Sequence, residues 1–152
     1  LVIRRQRQMC IRDSSNVDKD LKPLKIGEAN IINEESSEIV ILNFGTLLNE
    51  ANQISKELRA TLVDMRFVKP LDEKLLRKLF KKAKVFISIE DGSIMGGAGS
   101  AVQEFTSKEN LNVRSILFGI PDKFIEHASR EEMLVEAGLD VENIKSKLSK
   151  LL

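Results

Sequence analysis

"KVFISIEDGSIMGGAGSAV", residues 84–102, is the stretch on which the reading of this chain turns. It opens on a short apolar run, 84–90, with the composition of a buried strand. Four glycines follow, Gly92, Gly96, Gly97 and Gly99, and "SAVQEFTSK" (100–108) then has the spacing of a helix. Strand, glycine loop and helix together form the arrangement that cradles phosphates in nucleotide-binding domains. The details point away from that use. The dinucleotide fingerprint wants a third glycine three residues after the second, directly behind the first strand. With Gly97 and Gly99 as the first pair, that position is Val102, and the loop follows a late strand. A Walker loop needs Gly-Lys-Ser/Thr, and no Lys lies between 90 and 102. Gly96, Gly97 and Gly99 are better explained by a sharp turn and a close approach of backbones.

Working outward, apolar strands alternate with amphipathic helices. Strands are predicted over 24–33 (at an edge), 38–45, 60–67, 84–90 and 112–119. Helices are predicted over 46–58 with Thr46 as cap, from Asp72 with Leu71 and Leu76 as a hydrophobic staple, and after the glycine loop. "SREE" (129–132) fits a capping box, Gly138 a C-cap, and "DVENIKSKLSKLL" a closing amphipathic helix. This order implies βαβ units and a mostly parallel sheet with helices on both faces. The near-continuous apolar strands agree.

Composition narrows the functional classes. The chain has 152 residues and 42% hydrophobic content, enough for one domain with one core. Charged residues reach 31% in near balance, so no strong field favours nucleic acid. There is no Trp or Tyr for base stacking. No apolar run has the roughly 20 residues of a membrane helix.

Residues 1–14, "LVIRRQRQMCIRDS", stand apart. They hold four Arg, one Asp and the only Cys, without usable periodicity. "MCIRDS" corresponds to the translated end of a sequencing adapter, so 1–14 is expected to be a non-native tail. Residues 15–23 are then a linker, and 24–152 the domain. Without the four Arg and one Asp of the tail, the net charge moves from +1 to −2. The remainder has no cysteine, which fits a cytoplasmic protein.

Candidate chemistry is thin. Glu90 and Asp91 end a strand, where sites of α/β sheets cluster; they read either as acid–base carboxylates or, preferably, as caps for the loop's own N–H groups. His127, beside Glu126, reads as a base or, more often for a lone His ahead of a capping box, as a surface residue. Arg66 with Lys69 reads as an anion site or, preferably, as an ion pair or interface contact. No second His or Cys offers metal spacing.

Five blocks together carry a resemblance: "ILNFGTLLNEA", "ATLVDMRFVKPLDEKLL", "EDGSIMGGAGSAVQE", "GIPDKFIEHASREEML" and "AGLD". In this order and spacing the chain resembles the C-terminal, transketolase-like domain of the 1-deoxy-D-xylulose-5-phosphate synthases over nearly all of 21–152. The "PDKFIEH" block separates it from transketolases and from the beta subunits of 2-oxo acid dehydrogenases, the alternative relatives. "EDGSIMGG" departs from the expected Glu-Asn or Glu-Glu followed by Ala or Thr, without disturbing the glycines.

The resemblance implies a three-layer α/β/α domain with a five-stranded sheet whose first strand is antiparallel. It implies an intact enzyme that condenses pyruvate with glyceraldehyde 3-phosphate, releasing carbon dioxide, for isoprenoid, thiamine and pyridoxal phosphate synthesis. Thiamine diphosphate and magnesium would be held by two preceding domains, with none expected in this fragment. A homodimer is implied, cytoplasmic in bacteria or plastidial in plants and algae, without nucleic-acid or membrane partners. No catalytic, cofactor-binding or metal residue carries over. Arg66, Glu90, Asp91, Gly96, Gly97, Gly99, Asp122 and His127 are expected to be structural or to face neighbouring domains. A free-standing small-molecule-binding regulatory module is the reading from another class.

Overall fold

The computed structural model describes residues 23–152; the expected tail and nearly all of the expected linker lie outside them. In chain order the elements are β1 (Asn30–Asn33), β2 (Ser36–Phe44), α1 (Leu48–Leu58), β3 (Ala60–Asp64), α2 (Glu73–Phe80), β4 (Val85–Ser93), α3 (Ala98–Lys108), β5 (Arg114–Ile120), α4 (Arg130–Ala137) and α5 (Val141–Leu151). The five strands form one sheet in the order β1-β3-β2-β4-β5. β1 runs antiparallel to β3; every other pairing is parallel.

The strands are apolar on both faces because helices cover both. Ile41, Leu62, Ile87, Ile89, Ile116 and Phe118 project toward α1, α4 and α5. Val40, Leu42, Val63 and Phe86 project toward α2 and α3, where they meet Leu76, Phe80, Val102 and Phe105. Alternation along β2 and β4 sends neighbouring side chains to opposite cores. The register then carries the cores across the sheet, with Leu42 beside Ser88, Phe44 beside Glu90, and Ile89 beside Phe118.

Several ends follow their sequence signals. Asp72 caps α2, accepting from the Leu75 N–H at 2.9 Å. Ser129 and Glu132 form the capping box of α4, and Gly138 ends it at φ +70°. Two expectations need correction. The first strand does not occupy 24–33: only Asn30–Asn33 pairs, because the chain turns at Gly27 (φ +73°) and the Ala29 N–H donates to Asp72 at 3.0 Å. Thr46 does not cap α1, which begins at Leu48 behind Leu47 with no side-chain cap. Strand limits also shift: β3 stops at Asp64, β4 runs on to Ser93, and β5 begins at Arg114.

Candidate functional site at the carboxyl edge of the sheet

Parallel strands bring the carboxyl ends of β2, β3, β4 and β5 to one edge, the place where open α/β sheets bind ligands. At the end of β4 sits Glu90, only 4% exposed. Its Oε2 accepts from the Ala98 N–H at 2.7 Å and its Oε1 from the Gly99 N–H at 3.0 Å. These are first-turn donors of α3, whose N-cap Gly97 has no side chain to satisfy them. The chain's own carboxylate therefore occupies the anion position that the helix start creates.

The glycines make this fit possible. A Cβ on Gly97 would fall on the Ser93 carbonyl oxygen and the Glu90 carboxylate. One on Gly99 would fall on the Ser88 hydroxyl and lie 3.0 Å from Leu117 Cδ2. Gly96 takes φ +71° to turn the loop, a conformation cheap only for glycine. The loop is thus closed by protein.

Asp91, the next residue, points elsewhere. Its Oδ2 accepts from the Thr46 N–H at 3.0 Å and from the Thr46 hydroxyl at 2.8 Å. It pins the β2–α1 turn, where Gly45 sits at φ +93°, and does not cap the N–H groups of the glycine loop as the sequence suggests, because it lies within β4 and its carboxylate reaches Thr46. Arg130 at the start of α4 donates to the same hydroxyl at 2.9 Å and lies 4.0 Å from Glu50. No sequence pattern signals this Asp91–Thr46–Arg130 chain, because its members are 45 and 84 residues apart.

The remaining candidates are not gathered into the same place. Arg66, in a left-handed conformation (φ +57°), pairs with Asp64 at 3.6 Å at the end of β3. Asp122 and His127 are exposed in the 121–129 segment. Beside that segment lies a mostly apolar cavity of ≈370 Å³, lined by Ile120, Phe124, Ile125, Met133, Leu134 and Leu139 among others, with Asp91, Lys123 and Arg130 also in the wall. Phe124 is 89% exposed. Lys123 donates to the Glu136 carbonyl at 3.0 Å. In the capping box, the Ser129 hydroxyl and then its N–H hold the Glu132 carboxyl below the usual carboxylate range. That contribution is present at neutral pH and fades as pH falls through the folded-state pKa.

Thiamine diphosphate with magnesium does not fit here. A diphosphate needs free convergent donors, and the α3 donors are held by Glu90. Among the described residues no group of three His, Cys, Asp or Glu is placed to hold a metal ion. Among them, too, no helix is long and apolar enough to cross a membrane.

A five-stranded mixed sheet between two helical layers, with β1 alone antiparallel, is the architecture of a transketolase C-terminal domain. The chain belongs to the transketolase C-terminal domain family: the model described as "Transketolase, C-terminal domain" matches residues 27–144. Among curated proteins it is 45% identical over 129 residues to the 1-deoxy-D-xylulose-5-phosphate synthase of Pseudomonas paraeruginosa, covering 85% of this chain and 20% of that protein. It is 46% identical over 140 residues to the synthase of Stutzerimonas stutzeri, covering 91% of this chain and 22% of that one. The chain thus spans about a fifth of the length of these relatives. Among solved structures, "Split gene transketolase, inactive beta4 tetramer" superposes with a TM-score of 0.75 at 26% identity, over 84% of this chain and 43% of that one.

Proposed function

We propose that this chain is the C-terminal domain of a 1-deoxy-D-xylulose-5-phosphate synthase and that it serves assembly rather than chemistry. The carrying observation is the 45% identity over 129 residues to a synthase of which the chain spans 20%. The intact enzyme would condense pyruvate with glyceraldehyde 3-phosphate and release carbon dioxide. Thiamine diphosphate with magnesium, held by the preceding domains, would supply the carbon–carbon chemistry.

The carboxyl edge supports the assembly role. Its donors are consumed internally by Glu90 and Asp91. Yet Leu24, Ile26, Val68, Met95 and Phe124, five of the nine large apolar side chains most exposed among the described residues, lie on segments at this edge. An edge whose α3 donors are already taken, but which carries scattered exposed apolar side chains, suits packing against protein. In this reading Glu90, Asp91, Gly96, Gly97 and Gly99 shape the edge, while Arg66, Asp122 and His127 face the preceding domains or a second subunit. A structural neighbour described as an inactive tetramer also carries this domain, so assembly without activity has a precedent in the fold.

The test is a chimaera. The Pseudomonas paraeruginosa synthase lacking its last fifth should form no deoxyxylulose phosphate. Joining residues 23–152 to it should restore activity and a dimer in sedimentation. A truncated enzyme as active and dimeric as the intact one would overturn the assembly role.

A further inference from the structure

The other long border of the sheet carries a feature that the proposed function leaves unused. β5 is an edge strand, paired only with β4. The Arg114 N–H donates inward to Lys84, and the Ile120 carbonyl accepts from the Ile94 N–H on the same side. Alternation then turns the backbone groups of Ser115 and Leu117 outward. Both residues are only half-buried. Next to them opens an apolar cavity of ≈350 Å³, with Ile116, Phe118, Pro121 and Leu139 in its wall. Its lining contains Lys147 and Lys150 and no carboxylate. Neither lysine has an ion-pair partner among the described residues, whereas neighbouring Lys145 is held by Glu57 at 3.0 Å and by Glu142 at 3.1 Å. Lys147 instead lies 5.9 Å from the centre of the Phe118 ring.

Three independent properties therefore coincide: a strand edge with open pairing positions, an apolar hollow beside it, and uncompensated positive charge above the hollow. We propose that the β5 edge is a binding groove for an extended acidic segment of another polypeptide, which adds to the sheet as a sixth strand. The segment's backbone pairs with Ser115 and Leu117. On its inward-leaning face, an apolar side chain enters the cavity and carboxylates meet Lys147 and Lys150. Main-chain pairing gives affinity in such strand addition, and the side-chain pockets give selectivity. The positive charge argues against a second copy of β5 as occupant, because two-fold pairing would bring Lys147 and Lys150 toward their own counterparts.

The test uses the full chain and the capped peptide acetyl-Glu-Thr-Val-Thr-Glu-Thr-Val-Thr-amide, which sets Glu and Val on one face and Thr on the other. Amide chemical shifts followed during titration should move at Ser115–Gly119 and around Lys147 and saturate below about 1 mM, a modest affinity for a short unconstrained strand. Methylating alternate backbone nitrogens of the peptide should abolish binding. Replacing its Glu by Lys, or introducing Lys147→Glu with Lys150→Glu into the protein, should weaken binding about tenfold or more at low salt. Both lysines are exposed, so the variant stays folded. The proposal is overturned by absence of saturable shifts at several millimolar, by shifts elsewhere, by binding that ignores methylation, or by equal affinity for the lysine peptide. An upstream synthase domain that already covers β5, seen as protection of these amides in the chimaera, would overturn it as well while leaving the assembly role standing.

Discussion

Two halves of the carboxyl edge, one after β4 and one after β5, are built on opposite principles. Near the end of β4, Glu90 is buried, both its oxygens are spent on α3, and Gly92, Gly97 and Gly119 leave no room for a side chain against it. At the end of β5, the chain leaves Phe124 almost wholly exposed above an open apolar cavity. The first half has the residues of a ligand loop and no room for a ligand. The second has room and almost no chemistry. A glycine-rich loop is therefore not evidence of phosphate binding by itself; what decides is whether the donors it frees are already taken.

Substitutions sharpen that contrast. The largest loss is expected from Gly97→Val, which drives a branched side chain into the Ser93 carbonyl and the Glu90 carboxylate; a destabilisation above about 3 kcal/mol in urea unfolding is expected. A variant with an unchanged midpoint would show that the loop is not closed. Next comes Glu90→Ala, which leaves the Ala98 and Gly99 N–H groups buried and unpaired, at a cost of about 2–3 kcal/mol. Acetate at high concentration should raise the melting temperature of this variant and leave the parent unmoved; equal responses would mean that the anion position was never occupied by Glu90. Asp91→Ala frees only the exposed Thr46 donors, so about 1 kcal/mol is expected from a thermal melt. Phe124→Ser should change the stability of the chain by no more than about 0.5 kcal/mol, since the ring is already in solvent; a larger loss would place Phe124 in the core.

What was legible in the sequence follows the same division. The strands, the Asp72 cap, the capping box at Ser129 and the Gly138 end are short-range patterns, and periodicity with turn chemistry reveals them. The buried Glu90 was half visible: a carboxylate eight residues ahead of a helix start invites capping, but only the chain's path through Gly96 and Gly97 brings it home. Asp91 stands out in the sequence as a strand-end carboxylate, but its role does not, because its partners Thr46 and Arg130 come from other segments and meet only once the parallel sheet aligns the strands. Thr46 fails to cap for the same reason: its hydroxyl donates to Asp91 and accepts from Arg130 across the edge instead of accepting from the first turn of α1. The alternation of "LKIGEAN" suggests a longer edge strand than forms, because Gly27 and the hydrogen bond from Ala29 to Asp72 turn this segment away from pairing.

The most direct test of the central claim, that Glu90 already fills the anion position at the start of α3, is titration calorimetry of this chain with thiamine diphosphate and magnesium. The account predicts no saturable heat. A dissociation constant in the micromolar range, about 8 kcal/mol of binding, would contradict it and make the glycine loop a phosphate site after all.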